Sequence, residues 1–317
     1  MKKKFLLLGM MMLVILIGIG VTFAFNNGKK DSENQDLTFT IVTSFYPMYI
    51  AAENIVDGAE NLELINLTEK QEGCLHDYQL TTSDMKKLED ADVFIMNGGG
   101  MEHFIEKIVK AYPHIQVIDA SSGIDLLDVE SEHHHEGAEE ANKGVKEKNA
   151  HIWMNPEKHI KQIENITRGI CKADASQAEI YKKNSLAYIT KLEGLVKELE
   201  QMDMKNLGTG IISFHDAFAY LAEILRIPVI HSVVMDKDTA LSAGEVAEVI
   251  DEAKENNVKY IFTEKQLSES SPKRVAEETG AKLCIIDSLV SGGIEKNAYI
   301  EGMKRNIEML KQVVTNE

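Results

Sequence analysis

Residues 260–287 have the sequence YIFTEKQLSESSPKRVAEETGAKLCIID, which carries the clearest signal of fold in this chain. The pattern predicts a strand at 260–263, a helix at 272–279 that stops at Gly280, and a second strand at 283–287. Strand, helix and strand in this order are typical of a parallel β-sheet covered by helices.

The same alternation occurs through most of the chain. Apolar and β-branched runs predict further strands at 38–43, 62–67, 92–96, 117–119, 210–214 and 228–233. Helical spacing predicts helices at 48–57, 103–111, 217–225 and 243–256. The sequence therefore predicts an α/β protein of two lobes, at residues 38–172 and 204–317, each a parallel sheet flanked by helices.

A linking segment at residues 173–203 separates the two predicted lobes. Apolar residues keep helical spacing from 175 to 202 without an internal proline, which predicts one long helix. Such a helix of about 28 residues would be about 40 Å long, enough to run along both lobes. We expect this rigid helix to limit hinge motion around a cleft between the lobes.

The N-terminal segment has the pattern of an export signal. Lys2, Lys3 and Lys4 precede an uncharged apolar run at 5–25, whose length fits a signal peptide or an N-terminal membrane anchor. Residues 26–37 are polar and predict a flexible tether. Both interpretations place the rest of the chain outside the cytoplasm, at the cell surface or anchored to the membrane. No cysteine precedes Cys74, so a lipid-modified cysteine has no support.

Charge and cysteine content exclude several classes of protein. The formal net charge of −17 over 317 residues opposes a nucleic-acid partner, which requires a basic face. Three widely separated cysteines do not make a disulfide scaffold. Cys74 lies two positions before His76 and is close enough in sequence to reach the same ion.

Three histidines and one aspartate are candidate metal ligands. His76, His151 and His215 are widely separated in sequence, so only tertiary structure can bring them together. His215 and Asp287 come at the carboxyl ends of predicted parallel strands, where ligands of open α/β sheets bind. Each residue also has a simpler interpretation, because a single histidine is often a surface residue and Asp287 could cap a helix.

Other residues near these positions have secondary roles. Glu264 follows a predicted strand and is a candidate partner of a ligating histidine. His231 is a reserve ligand, whereas His103, His114 and His159 are interpreted as structural or surface residues. The absence of an HExxH pattern, a nucleophile elbow and a phosphate-binding loop opposes an enzyme, although a zinc hydrolase remains an alternative. A surface adhesion module is a further alternative.

Four segments resemble those of zinc ABC-transporter solute-binding proteins: GCLHDYQLTTSD at 73–84, HIWMNP at 151–156, SFHDAFAYLAE at 213–223, and residues 263–289. The resemblance implies that His76, His151 and His215 bind Zn²⁺, with Asp287 at the fourth, carboxylate position. It also implies an extracytoplasmic monomer that delivers zinc to an ABC permease and catalyses no reaction. Family members usually carry Pro directly before the first ligand and Asp-Pro before the second, whereas this chain has Leu75 and Asn149-Ala150 at those places.

The sequence also bears on the identity of the metal and on the role of the acidic loop at 128–148. Manganese-binding relatives commonly carry Glu at the position of His215, so the resemblance favours zinc, with manganese or a broader divalent-metal range as the alternative. The loop holds His133, His134 and His135 among glutamates, which predicts either an auxiliary zinc-collecting segment or a solvated loop.

Overall fold

The computed structural model describes residues 38–69, 78–129, 147–202, 209–233, 241–264 and 269–315. The predicted signal or anchor at 5–25 and the tether at 26–37 lie outside these residues. Residues from Phe39 onward make up one compact unit. None of the helices in the described ranges is both long enough and apolar enough to cross a membrane.

The first half of this unit is built on a four-stranded parallel sheet. Its elements, in chain order, are β1 (Phe39–Thr43), α1 (Tyr46–Val56), β2 (Leu62–Asn66), α2 (Thr82–Glu89), β3 (Val93–Met96), α3 (Ile105–Ala111) and β4 (Gln116–Asp119). The strand order is β2-β1-β3-β4.

Two helices, α4 (Pro156–Ala173) and α5 (Ala178–Glu200), follow the first sheet in sequence. The second half then repeats the first arrangement, with β5 (Ile211–Ser213), α6 (Phe218–Leu225), β6 (Val229–Ser232), α7 (Ala243–Glu255), β7 (Tyr260–Glu264), α8 (Ser270–Thr279), β8 (Lys282–Ile286) and α9 (Ala298–Thr315). The strand order is β6-β5-β7-β8, again all parallel. The predicted α/β fold with two parallel sheets is confirmed.

Helix α5 corresponds to the predicted long helix. It contacts α1 and α4 from the first part of the chain and α6 and α9 from the second half. Its buried leucines Leu192, Leu195 and Leu199 each stabilise the fold by roughly 1.5–3 kcal/mol. No residue ranges were predicted for helices α2, α4 and α9.

Local sequence signals explain where several helices begin and end. Thr81 and Asp84 form a capping box at the start of α2, and Ser242 and Glu245 form one at the start of α7. α8 ends at Gly280, whose φ of 75° lies in the left-handed region, as the sequence predicted.

The second sheet separates two hydrophobic cores. Along β5 and β7, alternate residues face opposite sides, so Ile211 and Phe262 join the large core while Ile212 and Ile261 join a smaller one. The large core also contains the first sheet and the linking helices, and the smaller core lies against α7 and α8. The second sheet is thus packed on both faces.

Hydrogen bonds join the two halves directly. The Trp153 indole Nε1 donates to the Ser288 carbonyl at 2.8 Å, and the Tyr299 hydroxyl donates to the Trp153 carbonyl at 2.6 Å. Asn54 on α1 donates to the Lys296 carbonyl at 2.8 Å. The two contacts of Trp153 keep the buried HIWM segment in a fixed position against the second half.

Candidate metal centre

His215 lies two residues beyond the end of β5, at the carboxyl edge of the second sheet. β5 is an inner strand, paired with β6 on one side and β7 on the other, so its end is well anchored. The Ser213 hydroxyl donates to the His215 carbonyl at 2.6 Å. This position matches the expectation that ligands lie beyond the carboxyl ends of parallel strands.

Glu264, the last residue of the neighbouring strand β7, contacts His215. The Glu264 Oε2 lies 2.8 Å from the His215 Nδ1, and the Ser288 hydroxyl donates to the Glu264 Oε1. Burial acts to raise the pKa of Glu264, but the contacts with His215 and Ser288 and the electrostatic effect of His151 together hold this pKa below its usual value. Glu264 is therefore an anion that orients the imidazole, so that the Nε2 of His215 is the nitrogen suited to binding a metal.

His151 reaches the same place from the other half of the chain. It begins the short 3₁₀ turn Ile152–Met154, and its side chain is fully buried. Its ring centroid lies 5.2 Å from that of Trp153 and 5.0 Å from that of His215. The structure therefore brings together two of the predicted ligands, which are far apart in sequence.

Asp216 completes a group that the sequence analysis did not identify. Its Oδ1 lies 3.5 Å from the Nδ1 of His151 and 3.5 Å from the Nε2 of His215, and its side chain is 13% exposed. Within the described ranges, His151, His215 and Asp216 are the one group of potential metal ligands whose atoms lie close enough to share an ion. Two ligands on a tetrahedral zinc ion are about 3.4 Å apart, which fits the distance between the Asp216 Oδ1 and the His215 Nε2.

Of the remaining predicted site residues, the structure describes Asp287 alone. His76 and Cys74 fall in residues 70–77, and His133, His134 and His135 fall in residues 130–146, both outside the described ranges. Asp287 follows β8 but is not in the group; its Oδ1 accepts from the Leu289 N–H at 2.9 Å and its Oδ2 lies 3.9 Å from Arg305.

Asp287 also lines a cavity of about 320 Å³, whose other lining residues include Tyr46 and Arg305. This cavity does not include the two imidazoles, so it does not mark the centre that the histidines form. Asp287 is nevertheless adjacent in sequence to Ser288, whose hydroxyl donates to Glu264, the residue that contacts His215.

The other histidines in the described ranges are not part of this group. His231 pairs with Glu252 at 2.7 Å, and His103 and His114 are exposed. His159 is completely buried on α4, where burial lowers its pKa to about 4. The sequence signal for Asp216 is weak, since it consists of its position directly after a candidate ligand in SFHDAF.

The chain is similar to known zinc-uptake proteins. Residues 41–313 match the family described as ZnuA, zinc-uptake complex component A periplasmic. The chain is 31% identical over 290 residues to the high-affinity zinc uptake system protein ZnuA of Bacillus subtilis (strain 168), covering 90% of this chain and 89% of that protein.

Streptococcal relatives are longer than this chain. The chain is 31% identical over 329 residues to the zinc-binding protein AdcA of Streptococcus pyogenes serotype M3, covering 98% of this chain but 61% of AdcA. The crystal structure of the Zn(II)-bound ZnuA-like domain of Streptococcus pneumoniae AdcA superposes with a TM-score of 0.68 and 25% identity, covering 87% of this chain and 98% of that domain.

The family match covers most of the chain, and the Bacillus relative exceeds 30% identity over nearly its full length. The family is described as an uptake component, in agreement with the prediction that this chain is not an enzyme. This chain therefore belongs to the ZnuA family of zinc-uptake complex components.

Proposed function

We propose that this chain captures Zn²⁺ outside the cytoplasm and delivers it to a membrane permease of an ABC import system. The observation that carries this proposal is the buried pair His151 and His215, with the Asp216 carboxylate 3.5 Å from a nitrogen of each. Neutral imidazoles are good zinc donors, and carboxylates beside them offset the charge of the cation.

The proposed ligands are His76, His151, His215 and Asp287. Geometry supports His151 and His215, whereas His76 and Asp287 rest on the resemblance of their sequence segments to those of zinc-binding relatives. Four protein ligands would close the coordination sphere and leave no position for a catalytic water, which is a feature of sites that carry or hold an ion.

Asp216 is a second candidate for the carboxylate position. Its Oδ1 is already at ligand spacing from the His215 Nε2, whereas Asp287 makes contacts with Leu289 and Arg305. The variants Asp216→Asn and Asp287→Asn separate the two, because each keeps the side-chain shape and removes one charge. The larger loss of zinc affinity identifies the ligand.

Selectivity for zinc over manganese follows from the donor atoms. Manganese prefers oxygen ligands, whereas a site with several imidazole nitrogens suits zinc. Titrating the purified chain with Zn²⁺ and Mn²⁺ tests this, and we expect zinc to bind more tightly. Tighter binding of Mn²⁺ would favour the alternative of a manganese or broader divalent-metal carrier.

Location and assembly are part of the same proposal. Residues 5–25 would export or anchor the chain, residues 26–37 would tether it, and the lobes at 38–172 and 204–317 would act as a monomer joined by the linking segment at 173–203. His133, His134 and His135 would collect zinc for the main site. Deleting residues 128–148 should then slow zinc loading at low zinc but leave one ion per chain.

The main test is zinc binding by the full-length chain and two histidine variants. We expect one tightly bound ion in the unaltered chain, loss of that ion in His215→Ala, and retention in His231→Ala, a matched control beside Glu252. Equal zinc affinity in the unaltered chain and His215→Ala would refute the site. Restoration of growth in zinc-limited cells by the unaltered chain, but not by His215→Ala, would link the site to uptake.

A further inference from the structure

We propose that Asn149 is a positioning residue that fixes the tautomer of His151, with the proton on Nδ1 and the lone pair on Nε2. The proposal rests on the proposed function in that it assigns Nε2 as the zinc-binding nitrogen of His151. It concerns a residue that does not itself bind the ion.

The orientation of the Asn149 carboxamide is set by two main-chain groups. Its Oδ1 accepts from the His151 backbone N–H at 3.0 Å. Its Nδ2 donates to the Asp216 carbonyl at 2.8 Å. A carboxamide with its oxygen and nitrogen exchanged would place an N–H against the first group and an oxygen against the second, so only one orientation satisfies both.

This orientation determines which His151 nitrogen carries the proton. The Asn149 Oδ1 also lies 3.0 Å from the His151 Nδ1, and this oxygen can only accept. A second polar atom near Nδ1 is the Asp216 Oδ1 at 3.5 Å, which is also an acceptor. Because both neighbours are acceptors, Nδ1 carries the hydrogen, and the lone pair of the neutral ring is on Nε2.

Asn149 is itself held in place from several directions. It is 2% exposed, its backbone N–H donates to the Leu127 carbonyl at 2.9 Å, and its carbonyl accepts from the Tyr220 hydroxyl at 2.8 Å. The next carbonyl, that of Ala150, accepts from the Asn97 side chain at 2.8 Å. The carboxamide is therefore part of a rigid frame.

One side chain thus connects both halves of the metal centre. Through Oδ1 it orients the His151 ring, and through Nδ2 it holds the main chain of the residue that follows His215. A ring already in the metal-binding tautomer needs no proton rearrangement when the ion arrives, which favours tight binding by a pre-formed site.

The first test reads the tautomer directly in the zinc-free, full-length chain. Long-range ¹H–¹⁵N correlation spectra distinguish the two neutral forms of histidine by their nitrogen shifts. We expect His151 in the Nδ1–H form, and a spectrum with His151 in the Nε2–H form would overturn the proposal. This measurement needs no substitution in Asn149, so it does not depend on how a variant folds.

The second test uses three variants of similar size. Asn149→Leu removes the acceptor and should move His151 toward the Nε2–H form and weaken zinc binding by about 10–100-fold. Asn149→Asp keeps an oxygen facing Nδ1, so it should retain the Nδ1–H form and bind zinc more tightly than Asn149→Leu. Asn155→Leu is the control, because Asn155 is equally buried but caps α4 and should leave the tautomer unchanged.

The outcomes separate this proposal from the proposed function. If Asn149→Leu keeps both the Nδ1–H form and the zinc affinity of the unaltered chain, Asn149 does not position the ring. If the unaltered chain binds no zinc, the proposed function fails, and the spectrum of the zinc-free chain still decides the tautomer.

Discussion

Two buried histidine pockets in this molecule differ in charge rather than in burial. His151 and His159 are both completely buried. His151 and its neighbour His215 lie beside the carboxylates of Asp216 and Glu264. His159 instead has Gln162 at 3.0 Å and the ring of Tyr299 at a centroid distance of 4.6 Å, both uncharged.

The difference shows why only one pocket suits a cation. A buried pocket without anions cannot offset the two positive charges of Zn²⁺. The side chains hydrogen-bonded around His159 are uncharged. Gln162, which contacts His159, donates in turn to the Asn97 Oδ1 at 2.9 Å. We therefore interpret His159 as a structural residue and His151 with His215 as a metal centre.

The largest effect that we expect is the gain in the free energy of unfolding on zinc binding, which should depend on one histidine pocket and not on the other. At free zinc about a thousand times the dissociation constant, binding adds about 4 kcal/mol to the free energy of unfolding. His215→Ala should abolish this gain. His159→Leu should keep it, although the variant is less stable by about 1–3 kcal/mol because Gln162 loses its donor. Thermal unfolding with and without zinc measures both, and loss of the zinc response in His159→Leu would remove the distinction.

The neutral pocket should produce a pH dependence of its own. The pKa of His159 is about 4 in the folded chain and about 6.5 when unfolded, so just below pH 6.5 only the unfolded chain takes up the proton. Stability from this residue is complete above pH 6.5 and falls by about 3 kcal/mol as pH drops to 4.

Urea unfolding of the zinc-free chain at several pH values measures this effect. The unaltered chain and His159→Leu should differ most at pH 7, and the difference should shrink as pH falls. Parallel curves for the two proteins would show that His159 does not resist protonation in the folded state.

Removing one charge from the proposed metal centre should have the next largest effect. Glu264→Gln keeps the shape beside His215 but removes the anion, so zinc affinity should fall by about 10–100-fold. Glu252→Gln is a matched control, since Glu252 contacts His231 at 2.7 Å outside the metal group. Competition with a chelator measures both affinities. Equal losses of affinity in the two variants would mean that zinc binding responds to the net charge of the protein and not to the position of Glu264.

Much of the fold was predictable because its signals are local. Runs such as YIFT and LCII have the length and composition of buried strands, and Gly280 ends α8 where a left-handed residue is required. The bounds of helix α4 were not predicted, although its start is signalled locally by Asn155 as the N-cap and by Pro156 at the first helical position. The predicted long helix at 175–202 corresponds closely to α5 at Ala178–Glu200.

The site was predictable only in part because it depends on tertiary contacts. Strand ends placed His215 near a sheet edge, and the contact of Glu264 with a candidate ligand was anticipated from the same reasoning. Asp216 and Asn149 were missed, because their contacts with the His151 ring depend on side-chain orientations in the folded chain, which no spacing rule predicts. His76 and Asp287 remain predictions.

The smallest expected effect concerns the support of Glu264 by Ser288. Ser288→Ala removes the hydroxyl that donates to the Glu264 carboxylate, at a cost of about 1 kcal/mol, which corresponds to about a fivefold loss of zinc affinity. Ser185→Ala is the control, since this buried serine accepts from Thr167 at 2.9 Å, between α4 and α5. It should lower the free energy of unfolding by a similar amount and leave zinc affinity unchanged. If both serine variants weaken zinc binding equally, the hydroxyl of Ser288 has no specific role in zinc binding. The difference between the two histidine pockets would then depend on the carboxylates of Asp216 and Glu264 alone.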